Sequence, residues 1–269
     1  NAKNHLRGDD VNGGKVYIVG AGPGDRELIT VKGLRAIQEA DVILYDRLIN
    51  KDLLNYAKRS AELIYCGKLP NFHTLKQETI NRFLIKYAKA GKVVTRLKGG
   101  DPFIYGRGGE EAEALKAHNI RFEIVPGVTS GIAGPAYAGI PVTHRQYSGS
   151  VAIVTGHRSQ DGTELIQWEH ISKGADTIVI YMGMKNLAYI CEQLTKHGRS
   201  EQTPVAVIHW ATTNKQETVI GTLADIVDKT AKADVKNPAI IVVGEVVKLS
   251  HTLSWFAHEA NDFELSLII

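Results

Sequence analysis

Short β-rich runs alternate with stretches of helical periodicity along most of this 269-residue chain. That alternation restricts the fold more than any other feature. Residues 15–19, 41–45, 62–65, 92–97 and 121–125 read as strands, with helices at 28–39, 74–90 and 109–118 between them. Leu28, Val31, Leu34 and Ile37 form the apolar face of the first helix, and Thr74 and Gly91 are the expected cap and stop of the second. Such a series implies a mostly parallel sheet covered on both faces. A second series starts near Gly149, with strands at 151–155, 177–182, 205–209, 218–220 and 240–243 and helices at 186–197 and 223–231. The Pro-, Gly- and Ser-bearing segment 139–149, "GIPVTHRQYSG", is the expected linker. The expected fold class is therefore α/β, as two α/β domains with mostly parallel or mixed sheets and an interdomain cleft. Its expected parts are a flexible arm at 1–14, an N-terminal domain at 15–145, a C-terminal domain at 146–250 and a tail at 251–269. Clefts of this kind are where small ligands usually bind.

The charge balance narrows the partners. Thirty-two Lys and Arg against twenty-nine Asp and Glu give a net charge of +3, too small to imply a nucleic-acid or membrane-surface partner. Any anion site must be built locally. Cys66 and Cys191 lie far apart and form no CxxC, so they read as free thiols of a reducing cytoplasm. The ten histidines form no HExxH or close His/Cys cluster, so no metal is expected. The longest apolar runs, such as 177–182 and 239–243, are far short of the ~20 residues that span a bilayer. No charged-then-apolar leader is seen, and a cytoplasmic location is expected.

Chemistry concentrates in three glycine-rich loops. The first is "VYIVGAGPGD", from Val16 to Asp25. Gly20 and Gly22 match the first two glycines of a GxGxxG dinucleotide turn, and Asp46 stands where a ribose-binding acid is expected. Three features count against a dinucleotide. The third glycine is one place early, Pro23 removes an N–H that would meet a pyrophosphate, and Asp25 sets a carboxylate where phosphate would sit. Asp25 also reads as a helix N-cap. The second loop, "RLKGGDPFIYGRGGEE" from Arg96, carries Gly99 and Gly100 at a strand end, then Asp101-Pro102, then Gly106, Gly108 and Gly109 around Arg107. Two glycine clusters holding an Asp and an Arg exceed what chain reversal requires. The third loop, "PGVTSG" from Pro126, offers the Thr129 and Ser130 hydroxyls at a helix start.

"VGAGPGD", "YDRL", "GGDPFIYGRGGEE", "VPGVTSG", "GIPVTHR" and "YMGM", in this order, resemble the tetrapyrrole methylases. The resemblance covers roughly residues 15–249. It is most specific in "GGDPFIYGRGGEE" and is greatest to members acting on uroporphyrinogen III. It implies S-adenosylmethionine as methyl donor, bound between two domains by Pro23, Gly99, Gly100, Asp101, Ile104, Thr129, Ser130, Met182 and Ala211. A cationic, phosphate-free cofactor suits a pocket bearing Asp25 and Asp101 better than NAD does. The implied substrate carries eight carboxylates and needs a cationic rim, for which Arg47, Lys68, Lys98, Arg107, His144 and Arg145 are candidates. Arg107 and Arg145 are the best anchors, because a guanidinium grips a carboxylate with two parallel bonds. The resemblance implies two methyl transfers to pyrrole carbons, giving precorrin-2 for sirohaem- and cobalamin-type products, and a homodimer. After attack on the methyl group the macrocycle must lose a proton to a base. Asp46 as base and Lys68 as acid or anchor are the candidates by resemblance, with Arg107 and Glu110 from the second loop; which of them moves the proton stays open. The tail from Val246 could cover a partner or the chain's own core. Competing readings are a methylase with a later corrin, RNA or protein substrate, an NAD-dependent oxidation, and a non-catalytic ligand-binding regulator.

Overall fold

A computed structural model describes residues 13–67, 76–157 and 166–256. The chain divides into two compact units, Asn1–Thr129 and Ser130–Ile269.

The first unit runs β1 (Lys15–Gly20), α1 (Val31–Glu39), β2 (Val42–Tyr45), β3 (Glu62–Tyr65), α2 (Gln77–Lys89), β4 (Val93–Lys98), α3 (Gly108–Ala117) and β5 (Arg121–Val125). Its strands form one parallel sheet in the order β3-β2-β4-β1-β5. Register is set by β1 against β4, from Lys15 opposite Val93 to Gly20 opposite Lys98. Both faces are buried, and the period of two along each strand sorts the side chains between them. Val16, Ile18, Val42, Leu44 and Val94 pack with Ile80, Leu84 and Ala88 of α2 and Leu115 of α3. Val19, Ile43 and Leu97 pack with Ala36 and Ile37 of α1. Thr95, on the α1 face, donates from Oγ1 to the Ala36 carbonyl at 2.7 Å.

The first helix differs from expectation at its start. Asp25 caps a short 3-10 turn at Arg26–Leu28, and α1 begins only after Thr30, whose Oγ1 accepts the Gly33 N–H at 3.0 Å. The expected cap Thr74 lies outside the described residues.

The second unit runs α4 (Ser130–Tyr137), β6 (Val151–Thr155), α5 (Trp168–Gly174), β7 (Thr177–Tyr181), α6 (Leu187–Lys196), β8 (Pro204–His209), β9 (Glu217–Thr222), α7 (Ile226–Lys232), β10 (Ala239–Val243) and the short α8 (Ser250–Leu253). The sheet order is β6-β7-β10-β8-β9. Only β6 and β7 pair in parallel; β10 runs antiparallel to both its neighbours, and β9 to β8. The second sheet is therefore mixed. Ile178, Ile180, Val205, Val207 and Ile241 pack with Trp168, Ile190, Leu194 and Ile226 on one face. Helix α4 packs on β7 and β10, which places the division between the units at 129/130, ahead of the 139–149 segment expected to link them. The described part of the tail lies on its own unit: Trp255 Nε1 donates to the Ala136 carbonyl at 3.0 Å, and its ring stacks 5.0 Å from that of Tyr137.

Candidate active site

In a parallel sheet all loops after the strands emerge at one edge, where α/β proteins place their ligands. In the first unit three of these loops meet. Ala21 N donates to the Lys98 carbonyl at 2.7 Å, and Gly22 and Gly100 bond back to back, Gly100 N to Gly22 O at 2.7 Å and Gly22 N to Gly100 O at 3.2 Å. A Cβ on Gly20 would lie 2.5 Å from Gly100 O and 2.6 Å from Gly127 N; one on Gly127 would lie 2.3 Å from Gly100 O. These backbones approach only because the side chains are absent. Asp101 ties the same loops together. Its Oδ1 accepts the Phe103 N–H at 2.8 Å and its Oδ2 the Gly127 N–H at 3.0 Å. Pro23, Gly99, Gly100, Asp101 and Ile104 all belong to these loops and are half-buried, as is Thr129 at the end of the third.

This cradle does not fit a pyrophosphate. Gly22 N is already bonded to Gly100 O, Pro23 has no N–H, and Asp101 brings a carboxylate. It does fit a cationic ligand without phosphate, offering carbonyls and an acidic side chain.

Arg107 sits in the left-handed region, with φ of 58°. Gly108 N donates to the Pro102 carbonyl at 3.0 Å, closing the loop beneath it. Its guanidinium forms a fork with Glu110, Nε to Oε1 at 2.9 Å and Nη2 to Oε2 at 2.7 Å. That bond raises the arginine and lowers the Glu110 carboxyl relative to their ordinary values. Both side chains are more than half exposed, 57% and 52%.

The adjacent Glu111 turns the other way, as neighbouring residues on a helix must. It is fully buried and gathers three donors on Oε1: Arg96 Nε at 2.9 Å, Lys98 Nζ at 3.0 Å and Gln77 Nε2 at 3.1 Å. Arg96 Nη2 reaches Asp46 Oδ1 at 2.6 Å, and Lys98 Nζ lies 3.9 Å from Asp46 Oδ2. Arg96 and Lys98 continue the parity of Val94, and Asp46 that of Val42 and Leu44. All therefore stand on the face covered by α2 and α3. Burial opposes the Arg96 charge, yet the Asp46 and Glu111 carboxylates outweigh it and hold the guanidinium above its ordinary value. Burial, with Arg96 alongside, holds the Lys98 ammonium below its own. Cys66, on the same face, is pushed up to about 11 by burial.

This corrects the expectation for Lys98. Placed on a cationic rim by its position at a strand end, it is 2% exposed and turned inward onto Glu111. Arg47 is exposed, and Lys68 lies outside the described residues. Arg96 and Glu111 escaped the reading of the sequence as site residues. The signal was present in "VVTRLK": a strand buried on both faces carries charges at every second position from Arg96.

In the second unit, Ser130 opens α4, and the Gly131 N–H donates to Tyr181 Oη at 2.7 Å. Tyr181 ends β7, and Met182 follows it in the left-handed region, φ 54°, with its side chain exposed. Ala211 is buried after β8, between Trp210 and Thr212, both also at positive φ. Strands β7 and β8 both run antiparallel to β10, so Met182 and Ala211 share one sheet edge. His144 and Arg145 occupy a tight hairpin, with His144 N donating to Ser148 O at 3.0 Å and Ser148 N to His144 O at 2.9 Å. Arg145 is exposed. Among the described residues no three His, Cys, Asp or Glu side chains group as metal ligands, and no helix is long and apolar enough to cross a membrane.

The family model described as Tetrapyrrole (Corrin/Porphyrin) Methylases matches residues 15–227. The chain is 66% identical to the uroporphyrinogen-III C-methyltransferase of Priestia megaterium, over 88% of this chain and 100% of that one. It is 57% identical to a uroporphyrinogen-III C-methyltransferase of Bacillus subtilis (strain 168), over 94% and 98%. A crystal structure of the uroporphyrin-III C-methyl transferase of Thermus thermophilus, complexed with S-adenyl homocysteine, superposes with a TM-score of 0.75 at 38% identity, covering 87% of this chain and 99% of that one.

Proposed function

The chain belongs to the tetrapyrrole methylases, and we propose that it methylates uroporphyrinogen III at two pyrrole carbons, with S-adenosylmethionine as methyl donor, to give precorrin-2. The observation that carries this reading is the glycine junction at Gly20, Gly100 and Gly127, with Asp101 bonded across it, in a chain 66% identical to a relative named for this activity.

When bound, S-adenosylmethionine supplies a methyl group already activated by its sulfonium charge, so positioning carries most of the catalysis. Pro23, Gly99, Gly100, Asp101 and Ile104 hold the donor through backbone groups and one carboxylate, with Thr129, Ser130, Met182 and Ala211 as further contacts. Arg107, oriented by Glu110, grips substrate carboxylates together with His144 and Arg145. Lys68 serves as acid or carboxylate anchor. Asp46 accepts the proton that the macrocycle releases as the new carbon–carbon bond forms and the carbon–sulfur electron pair leaves with sulfur. We place the enzyme in the cytoplasm, as a homodimer, at a branch towards sirohaem- and cobalamin-type products.

Mass spectrometry of the product made from uroporphyrinogen III and methyl-labelled cofactor tests the reading. Two labelled methyl groups on one macrocycle support it; one or none counts against it.

A further inference from the structure

The buried charges beneath Asp46 need a reason. The α2/α3 face of the first sheet is apolar through Val16, Ile18, Val42, Leu44 and Val94, then turns ionic at Arg96, Lys98 and Glu111, which are 2%, 2% and 0% exposed. Stability does not explain this. Burying charges carries a large desolvation penalty, and well-packed apolar residues at such sites often leave a protein as stable or more so.

Geometry supplies another reason. All three Arg96 nitrogens are engaged: Nε by Glu111 Oε1, Nη1 by the Leu44 carbonyl at 3.4 Å and Nη2 by Asp46 Oδ1. The guanidinium thus has one orientation. Glu111 is held in turn by Lys98 and by Gln77 of α2. Of the four charged groups only Asp46 reaches solvent, with 30% of its side chain exposed. The network therefore ends in a single carboxylate at the strand edge where the three glycine loops meet. Among the described residues, the titratable groups set towards Asp46 are Arg96 and Lys98 from β4, Glu111 from α3, and the Cys66 thiol after β3. Two positive and two negative charges balance, so the network as a whole carries no net charge.

We propose that Arg96, locked by Glu111 and Lys98, is a positioning residue that fixes the Asp46 carboxylate for the proton step of methylation. This rests on the reading of Asp46 as the base, and a double-mutant cycle separates the two. Turnover of uroporphyrinogen III with labelled cofactor is measured for Asp46→Asn, Arg96→Met and the pair, alongside S-adenosylhomocysteine affinity by calorimetry. Asp46→Asn should lower kcat by about 10²-fold or more, the scale of a lost proton-transfer group. Arg96→Met should lower kcat about tenfold or more while KM and cofactor affinity stay within about threefold. The double variant should be no slower than Asp46→Asn alone, because residues acting as a unit are not additive. Where Arg96→Met leaves the buried cluster one positive charge short and does not fold, Arg96→Met/Glu111→Leu removes one buried charge of each sign, keeps Lys98 beside Asp46, and replaces that corner of the cycle. It should fold and still lose turnover. If losses in the double variant multiply, or if Arg96→Met/Glu111→Leu turns over normally, the positioning role is overturned while Asp46 stands. If Asp46→Asn turns over normally, the reading of Asp46 falls and the positioning role with it.

Discussion

Replacing Gly127 by alanine tests the meeting of the three loops most directly. The new Cβ would lie 2.3 Å from Gly100 O, 2.7 Å from Gly20 Cα and 2.8 Å from Gly20 C, where ordinary contacts begin at 3.4 Å. All three atoms are backbone, so no side-chain rotation relieves the overlap. Gly20 and Gly100 adjoin strands paired over six residues, from Lys15 opposite Val93 to Gly20 opposite Lys98. The loop bearing residue 127 must therefore move away, and the bond from its N–H to Asp101 Oδ2 is lost with it. Overpacking of this kind costs about 1–3 kcal/mol, and the lost hydrogen bond to a carboxylate about 1–2 kcal/mol more. A combined loss of roughly 3 kcal/mol corresponds to a fall in Tm of about 6–12 °C for a chain of this size. Calorimetry with S-adenosylhomocysteine should show a larger relative effect, because the displaced loop is part of the donor's cradle. Gly109→Ala is the control. Its Cβ meets nothing within 4 Å, and its place inside α3 favours alanine by about 1 kcal/mol. Thermal unfolding of both variants decides the matter. A Gly127→Ala protein with native Tm and native cofactor affinity would refute the close approach of the loops.

Arg107→Ala should abolish or strongly reduce turnover while cofactor affinity is retained. Because the Arg107–Glu110 pair is exposed, its stability should change by no more than about 0.5 kcal/mol; loss of cofactor binding with tetrapyrrole binding intact would contradict the assignment. Burial pushes the thiols of Cys66 and Cys191 up to about 11, so neither should react with iodoacetamide in the native protein near pH 8, and both should react once it is unfolded, as followed by intact mass. Asp176 accepts the Gly149 N–H and bonds to the Ser150 hydroxyl, which holds its carboxyl below the ordinary range. The stability supplied by the ionised group is complete above the unfolded value near ~3.9 and is lost as pH falls through the lower folded value. Asp176→Asn should consequently flatten the fall of Tm with acidification below about pH 4.

Most of the fold could be read from local pattern, and the exceptions have local causes. Strands at 62–65, 121–125 and 151–155 form with the expected bounds, since β-branched and aromatic runs bounded by turn residues carry their own signal. Helix α4 escaped because "SGIAGPAY" holds two glycines and a proline, a poor helix former in isolation. It is stabilised by contact instead: Gly131, Ala133, Gly134 and Pro135 are buried, and the Tyr181 hydroxyl binds Gly131 N. A mixed sheet is among the expectations, but which strands of the second sheet run antiparallel escaped, for a different reason. Strand direction depends on non-local pairing that local pattern does not record: residues 239–243 lie between β7 and β8 and run antiparallel to both.

What the chain alone determined is the set of parts: five strands in each half with the helices α1, α2, α3, α6 and α7, glycine-rich loops after β1, β4 and β5, a turn unsuited to phosphate at Pro23, and motifs that belong to one family. What only the tertiary structure decided is which parts meet. Sequence places Gly20, Gly100 and Gly127 far apart, and the register of β1 against β4 and β5 brings their backbones into contact. Sequence places Glu110 and Glu111 side by side, and the seating of α3 sends one to Arg107 at the surface and the other to Arg96 and Lys98 in the interior. Local pattern records each residue's own preference. A buried charge network depends on partners from β2, β4, α2 and α3, and those meet only when the sheet has closed over its helices.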